Sequence, residues 1–185
     1  MTTSLLVAER VDARRVYGID LDDEALAKAS KRGLTVFKAD LSKDPNPLHD
    51  ESVDLVLALE VVEHLINPDH MLREAHRVLR RGGGPVVSTP NLASWVNRVA
   101  LLLRYQPYNS EVSTEILAGM PWKARTFSKP SGHIRSFTLR ALRELLQYHG
   151  FKVVKVRGVP GVEPRELAPL DKLFSKIPSL ARRIV

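Results

Sequence analysis

The 185-residue chain contains no cysteine, so disulfides, thiolate zinc sites, iron–sulfur clusters and a cysteine nucleophile are all excluded. Any chemistry must come from histidine, carboxylates, hydroxyls or a bound cofactor. No apolar run approaches the roughly 18 residues a membrane span needs, and the chain does not open on a basic segment followed by an apolar stretch. These absences predict a cytoplasmic protein without membrane insertion. What remains, 44% hydrophobic and 26% charged residues with no internal repeat, fits one globular domain with a real core.

Acidic residues are scarce in one half of the chain. Residues 91–185 carry 16 Lys and Arg against 6 Asp and Glu, whereas residues 1–90 carry 12 against 15. A basic half of this kind attracts an anionic substrate, a membrane surface or nucleic acid, or serves only as a solvated face that keeps the protein in solution. Composition does not choose among these.

The first half alternates between two periods. Val16 to Asp20 is a short apolar run ending in an acid, Asp23 to Arg32 has helical spacing closed by Gly33, and Leu34 to Asp40 alternates as a strand and again ends in an acid. Val53 to Leu59 reads as a strand buried on both faces, and Asp69 to Leu79 as a helix with Met71, Leu72, Ala75 and Val78 on one side. Gly82 to Gly84 read as a turn into a strand over Val86 to Thr89, with Arg80 and Arg81 as the preceding helix's C-terminal charges. Strands joined by helical crossovers predict an α/β, doubly wound, mostly parallel sheet with helices on both faces. Ligands of such sheets sit beyond the carboxyl ends of the strands, where Asp20, Asp40 and Glu60 would form one rim.

The second half is looser. A helix over Leu92 to Leu103 precedes some 28 residues without clear periodicity, long enough to suggest a lid or binding segment. Thr138 caps a helix over Leu139 to His149, closed by Gly150, and Phe151 to Val156 reads as a strand. Arg165 to Ile177 is a basic amphipathic helix with Leu167, Leu170, Leu173, Phe174 and Ile177 on one face, expected to dock on the protein's own sheet in preference to a membrane. The predicted organisation is a single domain: a cofactor-binding half over 1–90, an acceptor-side segment over 91–137, and a C-terminal helix, strand and tail over 138–185.

Several residue types suit chemistry. An acid after the second strand of a dinucleotide-type unit accepts hydrogen bonds from ribose hydroxyls, a role open to Asp20, although Asp20 or Asp22 can equally cap the next helix. Asp40 can accept from an adenine amine. In Glu60-Val-Val-Glu-His64, helical geometry would put Glu60, Glu63 and His64 on one face, as a metal site, as a base with its orienting carboxylate, or as a solvated helix start. His133, between the long loop and the late helix, can point over the site or hydrogen-bond its own loop.

Taken in order, Val16-Tyr-Gly-Ile-Asp20, Ala39-Asp40-Leu41, Ser52-Val-Asp-Leu-Val56, Glu60-Val-Val-Glu-His-Leu65, Val78-Leu-Arg-Arg-Gly-Gly83, Ser88-Thr-Pro-Asn91 and Gly132-His-Ile-Arg-Ser-Phe-Thr138 resemble the class I S-adenosylmethionine-dependent methyltransferases. The similarity runs over residues 5–157 and is strongest to ubiquinone-biosynthesis O-methyltransferases and MetW-like proteins. The resemblance implies S-adenosylmethionine as cofactor, with Asp20 and Leu21 on the ribose side, Asp40 and Leu41 at the adenine, and Leu59 and Glu60 at the methionine end. It implies transfer to an oxygen or nitrogen of a small acceptor, with His64 or His133 as base. Glu60, Glu63 and His64 resemble a cluster that binds a divalent metal in some of the O-methyltransferases; no metal is assigned.

One part of that pattern is missing. The family's first strand and Gly-rich turn have no counterpart before Val16, so the sequence reads as N-terminally truncated, with a helix over 3–10, in preference to a replacement strand over 3–11 or one lent by a partner. Arg182 to Val185 resembles the start of a final strand. A second reading follows: a non-catalytic, methyltransferase-like partner protein that contacts nucleic acid through its basic half. A homodimer is the other expected assembly.

Overall fold

The computed structural model describes residues 3–121, 129–161 and 164–185. The helix expected near the start forms as α1, Thr3–Arg10. Strand β1, Tyr17–Asp20, leads to helix α2, Asp23–Ser30, whose N-terminus is capped by Asp22 accepting the Glu24 amide at 2.8 Å. Strand β2 is Thr35–Lys38, and strand β3 is Val53–Leu59. After a 3-10 turn at Val62–His64 comes helix α3, Pro68–Val78, where Asn67 accepts the His70 amide and Pro68 occupies the first turn. Both choices suit a helix start, since proline lacks only an amide that has no intrahelical partner there. Met71, Leu72, Ala75 and Val78 form the buried face of α3, as the periodicity predicts.

Strand β4 is Leu79–Pro90, longer than expected, and Gly82 to Gly84 lie inside it and not in a separate turn. Val53 pairs with Leu79 but Leu55 pairs with Gly84, so β4 carries extra residues that bulge out opposite β3. Gly82 has φ +84° at the bulge, and a Cβ on Gly83 would lie 2.7 Å from the Asp54 carbonyl. Arg80 is part of this strand and pairs with Asp54 at 3.0 Å; it is not a charge on the end of α3.

Helix α4, Trp95–Leu102, is shorter than the predicted helix. Helix α5, Leu139–Tyr148, has the predicted Thr138 cap, with Thr138 Oγ1 accepting the Ala141 amide, and the predicted glycine stop at Gly150, φ +83°. The strand expected over 151–156 does not form. Pairing begins at Arg157, which exchanges two hydrogen bonds with Val185, and Val154 is 86% exposed. Instead β5 is Gly158–Val159 and β6 is Arg183–Ile184, the latter in the segment predicted to start a strand. The basic C-terminal helix is reduced to a 3-10 turn, Arg165–Leu167, and helix α6, Ala168–Phe174.

The strands form two sheets, β1-β2 and β3-β4-β6-β5. The first pair and β3-β4 are parallel, and β6 runs antiparallel to both its neighbours. The architecture is therefore the predicted mixed α/β fold with mostly parallel pairing. Strands β1 and β3 each pair on one side only, and β3 is accordingly not buried on both faces as expected: Asp54 and Leu55 are exposed. The core joins Ala58, Val62, Leu72, Val87, Leu142 and Ile184, with Leu41 packed against it from beyond β2.

Candidate functional site

Parallel strands deliver their carboxyl ends to one side, and three contacts bring the ends of β1, β2 and β3 together. The Ala39 amide donates to the Asp20 carbonyl at 3.2 Å. His70 lies 3.3 Å from the Leu41 carbonyl, and the Ile66 amide donates to Ser42 Oγ at 3.1 Å, tying the end of β2 to the segment that follows β3. Asp20 and Asp40 thus lie at neighbouring strand ends, tied to the segment that follows β3, while Glu60 directly follows β3 itself.

Their side chains are engaged differently. Asp20 is exposed and accepts the Asp22 amide at 3.1 Å, while Asp22, not Asp20, caps α2. Leu21 beside it is 56% exposed, a large apolar side chain presented at the rim. Asp40 accepts the Ser42 amide at 2.9 Å and lies 3.6 Å from Lys43. Leu41 turns inward against the core. Glu60 follows Leu59 with φ +55°, an unusual backbone conformation for this residue type, and its carboxylate accepts from Ser88 Oγ at 2.8 Å and faces Arg183 Nε at 2.8 Å. The Glu60 amide donates to the Ser88 carbonyl. Ser88 lies in the Ser88-Thr-Pro-Asn91 motif and Arg183 in the expected final strand, but no local spacing links either to Glu60; the sheet order, which puts β6 beside β4, brings Arg183 there.

The positive φ at Glu60 and the 3-10 turn after it also break the face expected for Glu60, Glu63 and His64, since spacings of three and four residues share a face only in a continuous helix. Glu60 leaves the cluster and His133 joins it. The His64 and His133 rings are 4.8 Å apart, centre to centre. Glu63, His64 and His133 can each offer one ligand atom within 4.8 Å of the others.

The loop that carries His133 is fastened over this turn at several points. The Ile134 and Arg135 amides both donate to the Glu63 carbonyl at 3.0 Å, and Arg135 donates to the carbonyls of Leu65 and Ile66. His64 Nδ1 lies 3.1 Å from the Gly132 carbonyl. A carbonyl only accepts, so Nδ1 is the donor of this contact, and in the neutral ring Nε2 is the acceptor.

Glu111, which sequence reasoning did not single out, holds the same loop. Its carboxylate accepts the amides of Ser131, Gly132 and His133 at 2.7, 2.8 and 3.2 Å, and lies 3.6 Å from His133 Nδ1. Burial works to raise the Glu111 carboxyl, but the three amide donors outweigh it and hold its pKa below the ordinary carboxylate value. Burial lowers the His133 pKa and favours the neutral imidazole, and the Glu111 charge opposes this only in part. Glu63 is 1% exposed, and among the described residues its carboxylate oxygens make no hydrogen bond of good geometry, its own amide and the Thr89 hydroxyl working against burial without outweighing it. Burial raises its pKa accordingly. Of the acceptor-side segment over 91–137, residues 122–128 lie outside the described residues.

Comparison with known proteins places this geometry. Residues 2–87 match the family model described as a methyltransferase domain. A protein of Mycobacterium tuberculosis described as a probable S-adenosylmethionine-dependent methyltransferase is 42% identical over 81 residues, 43% of this chain and 29% of the relative. The matched stretch is thus under a third of that relative's length. Among solved structures, a Thermotoga maritima S-adenosylmethionine-dependent methyltransferase, described as a possible histamine N-methyltransferase, superposes with TM-score 0.62 at 20% identity, covering 96% of this chain and 72% of the other. A methyltransferase of Mesorhizobium loti dependent on the same cofactor gives TM-score 0.60 at 18% identity, over 97% of this chain and 82% of that one. The chain has the Rossmann-like fold seen in these S-adenosylmethionine-dependent methyltransferase structures, and residues 2–87, less than half of the chain, are similar in sequence to the methyltransferase-domain family.

Proposed function

We propose that this chain binds S-adenosylmethionine at the rim formed by β1, β2 and β3 and serves methyl transfer to an oxygen or nitrogen of a small acceptor. When bound, S-adenosylmethionine supplies a methyl group already activated on a sulfonium, so the protein's work is alignment and removal of the acceptor's proton. Asp20, with Leu21 beside it, takes the ribose, whose two hydroxyls match a carboxylate's two acceptor oxygens. Asp40 and Leu41 take the adenine, and the backbone at Leu59 and Glu60 takes the methionine end. Residues 91–137 form the acceptor side. The observation that supports this reading is the parallel pairing of β1 and β2, which brings Asp20, at the end of one strand, and Asp40, just past the end of the other, to the same side.

His64 is the preferred base. Its Nδ1–H is directed to Gly132, which leaves Nε2 to receive the proton lost by the nucleophile. His133 is the second candidate, neutral through burial and faced by the Glu111 carboxylate. A metal reading has one specific observation in its favour, the buried Glu63 carboxylate without a hydrogen bond of good geometry among the described residues. One carboxylate and two imidazoles are a donor set that a divalent ion accepts. Glu63, His64 and His133 would then hold a cation able to bind the acceptor's oxygen, and His64 would act as a ligand in place of its role as base.

Calorimetric titration of the chain with S-adenosylmethionine tests the proposal. Saturable heat is expected, with affinity about tenfold to a hundredfold weaker in Asp20→Ala. Absence of heat, or equal affinity in both proteins, contradicts the site. Repeating the titration with manganese separates the two readings of the histidines, since only the metal reading expects stoichiometric uptake that Glu63→Gln removes.

A further inference from the structure

The C-terminal amphipathic segment does not dock as its pattern predicts. In α6 and the turn after it, Asp171 and Phe174 face inward. Asp171 is 1% exposed and accepts from Trp95 Nε1 at 2.7 Å and Arg182 Nε at 2.9 Å, and the Phe174 ring stacks on Trp95 at 5.3 Å. Leu170, Leu173 and Ile177, spaced as one helical stripe, are instead 43%, 56% and 51% exposed. At 3.6 residues per turn, Lys172 and Lys176 lie along the other side of that stripe, so apolar side chains run between a buried face and a basic one.

Helix α4 continues the same surface. Trp95, Val99 and Leu102 fall on one face of α4; α6 covers it at Trp95, and beyond that contact Val99 and Leu102 are exposed, Leu102 at 82%. Arg98 and Arg104 are the charged residues of this stretch, and residues 94–110 contain no acid. The Trp95–Phe174 stack joins α4 to α6, and the two stretches carry Arg98, Arg104, Arg165, Lys172 and Lys176, with Glu166 the one exposed acid beside them among the described residues. Scattered exposed leucines need no explanation, but adjoining stripes edged by one sign of charge do.

We propose that this α4–α6 surface is a peripheral docking site for an anionic lipid bilayer, with the leucines entering the headgroup region and the basic side chains reaching the lipid phosphates. Charge complementarity selects this occupant. An apolar stripe alone fits many partners, whereas apolar residues edged by lysine and arginine match a surface that is apolar beneath and negative above. No helix among the described residues is long and apolar enough to cross a membrane, so attachment is at the surface. The inference does not depend on methyl transfer, because none of these residues belongs to the proposed cofactor site.

The test is co-sedimentation of the full chain with vesicles of phosphatidylcholine alone and with vesicles of phosphatidylcholine and phosphatidylglycerol in equal parts. Binding to the anionic vesicles, weakened by salt, is expected. A Leu102→Glu, Leu173→Glu double variant and a Lys172→Glu, Lys176→Glu double variant should each bind about tenfold or more weakly. All four positions are exposed, so both variants should keep the parent's circular dichroism and melting temperature; the lysine pair supplies the test if the leucine variant does not. Failure to bind anionic vesicles overturns the proposal. So does binding that salt abolishes but the leucine substitutions leave unchanged, which would mark a purely electrostatic surface such as a nucleic-acid site. Elution as a dimer that the leucine substitutions convert to a monomer would also overturn it, by showing that a second copy covers the face.

Discussion

At the scale of single residues, the site depends on side chains that hold backbone as much as on those that would meet a ligand. Glu111 satisfies three consecutive amides of the loop that carries His133. These amides sit at exposed or half-buried residues, where a lost hydrogen bond costs about 0.5–1.5 kcal/mol, so Glu111→Ala should lower stability by about that amount or more and release His133 from His64. Chemical denaturation measures the first effect, and the imidazole resonances of His64 and His133 report the second. Asp20→Ala should weaken S-adenosylmethionine about tenfold to a hundredfold, the range of a hydrogen bond to a charged group, without changing the melting temperature, because Asp20 is exposed. Asp20 and Asp40 were legible in the sequence because a strand end locates an acid by position alone. Glu111 was not, because its partners lie some 20 residues away across a segment without periodicity. The same holds for Arg183 at Glu60, where contact depends on the order of strands in the sheet. Local spacing even misled at Glu60, whose positive φ ends the face that a continuous helix would have built.

At the scale of elements, the bulge in β4 and the anchoring of α3 make distinct predictions. A Cβ at Gly83 meets the Asp54 carbonyl at 2.7 Å and the Arg80 carbonyl at 3.1 Å, whereas one at Gly84 meets nothing within 4 Å. Gly83→Ala should therefore cost about 1–3 kcal/mol by overpacking, and Gly84→Ala should be close to neutral, as paired thermal melts would show. Helix α3 is tied to the segment after β2 through Glu74, which accepts from Arg77 and from the Asn46 amide. The Arg77 hydrogen bonds, followed by the Asn46 amide, outweigh burial and hold the Glu74 pKa below its ordinary value. A carboxylate lowered on folding adds stability above its unfolded pKa of about 4.3, and that contribution disappears as pH falls through the lower folded value. Wild type should exceed Glu74→Gln in stability at neutral pH, and the gap should close in acid. Helices α2, α3 and α5 were legible because caps and apolar spacing agree with one another. The strand over 151–156 was misread because alternation does not reveal whether a partner strand lies opposite.

At the scale of the whole molecule, the two sheets differ in support. Strand β4 lies between β3 and β6, while β1 and β2 form a two-stranded sheet, the arrangement least able to stand alone. Hydrogen exchange should therefore be faster in Tyr17–Asp20 and Thr35–Lys38 than in residues 86–89, and binding of S-adenosylmethionine across the rim should slow it. The alternation of strand and helix made the fold class legible, whereas the absence of pairing between β1 and β3 is a property of the assembled sheet.

The central claim is that the strand ends carrying Asp20, Asp40 and Glu60 form one cofactor surface, and it is tested most directly by titrating isotope-labelled chain with S-adenosylhomocysteine and following backbone amide resonances. The account predicts that the largest shifts fall together at Asp20, Leu21, Asp40, Leu41, Leu59 and Glu60. Shifts confined to another face of the molecule, or no shifts at saturating ligand, would contradict it.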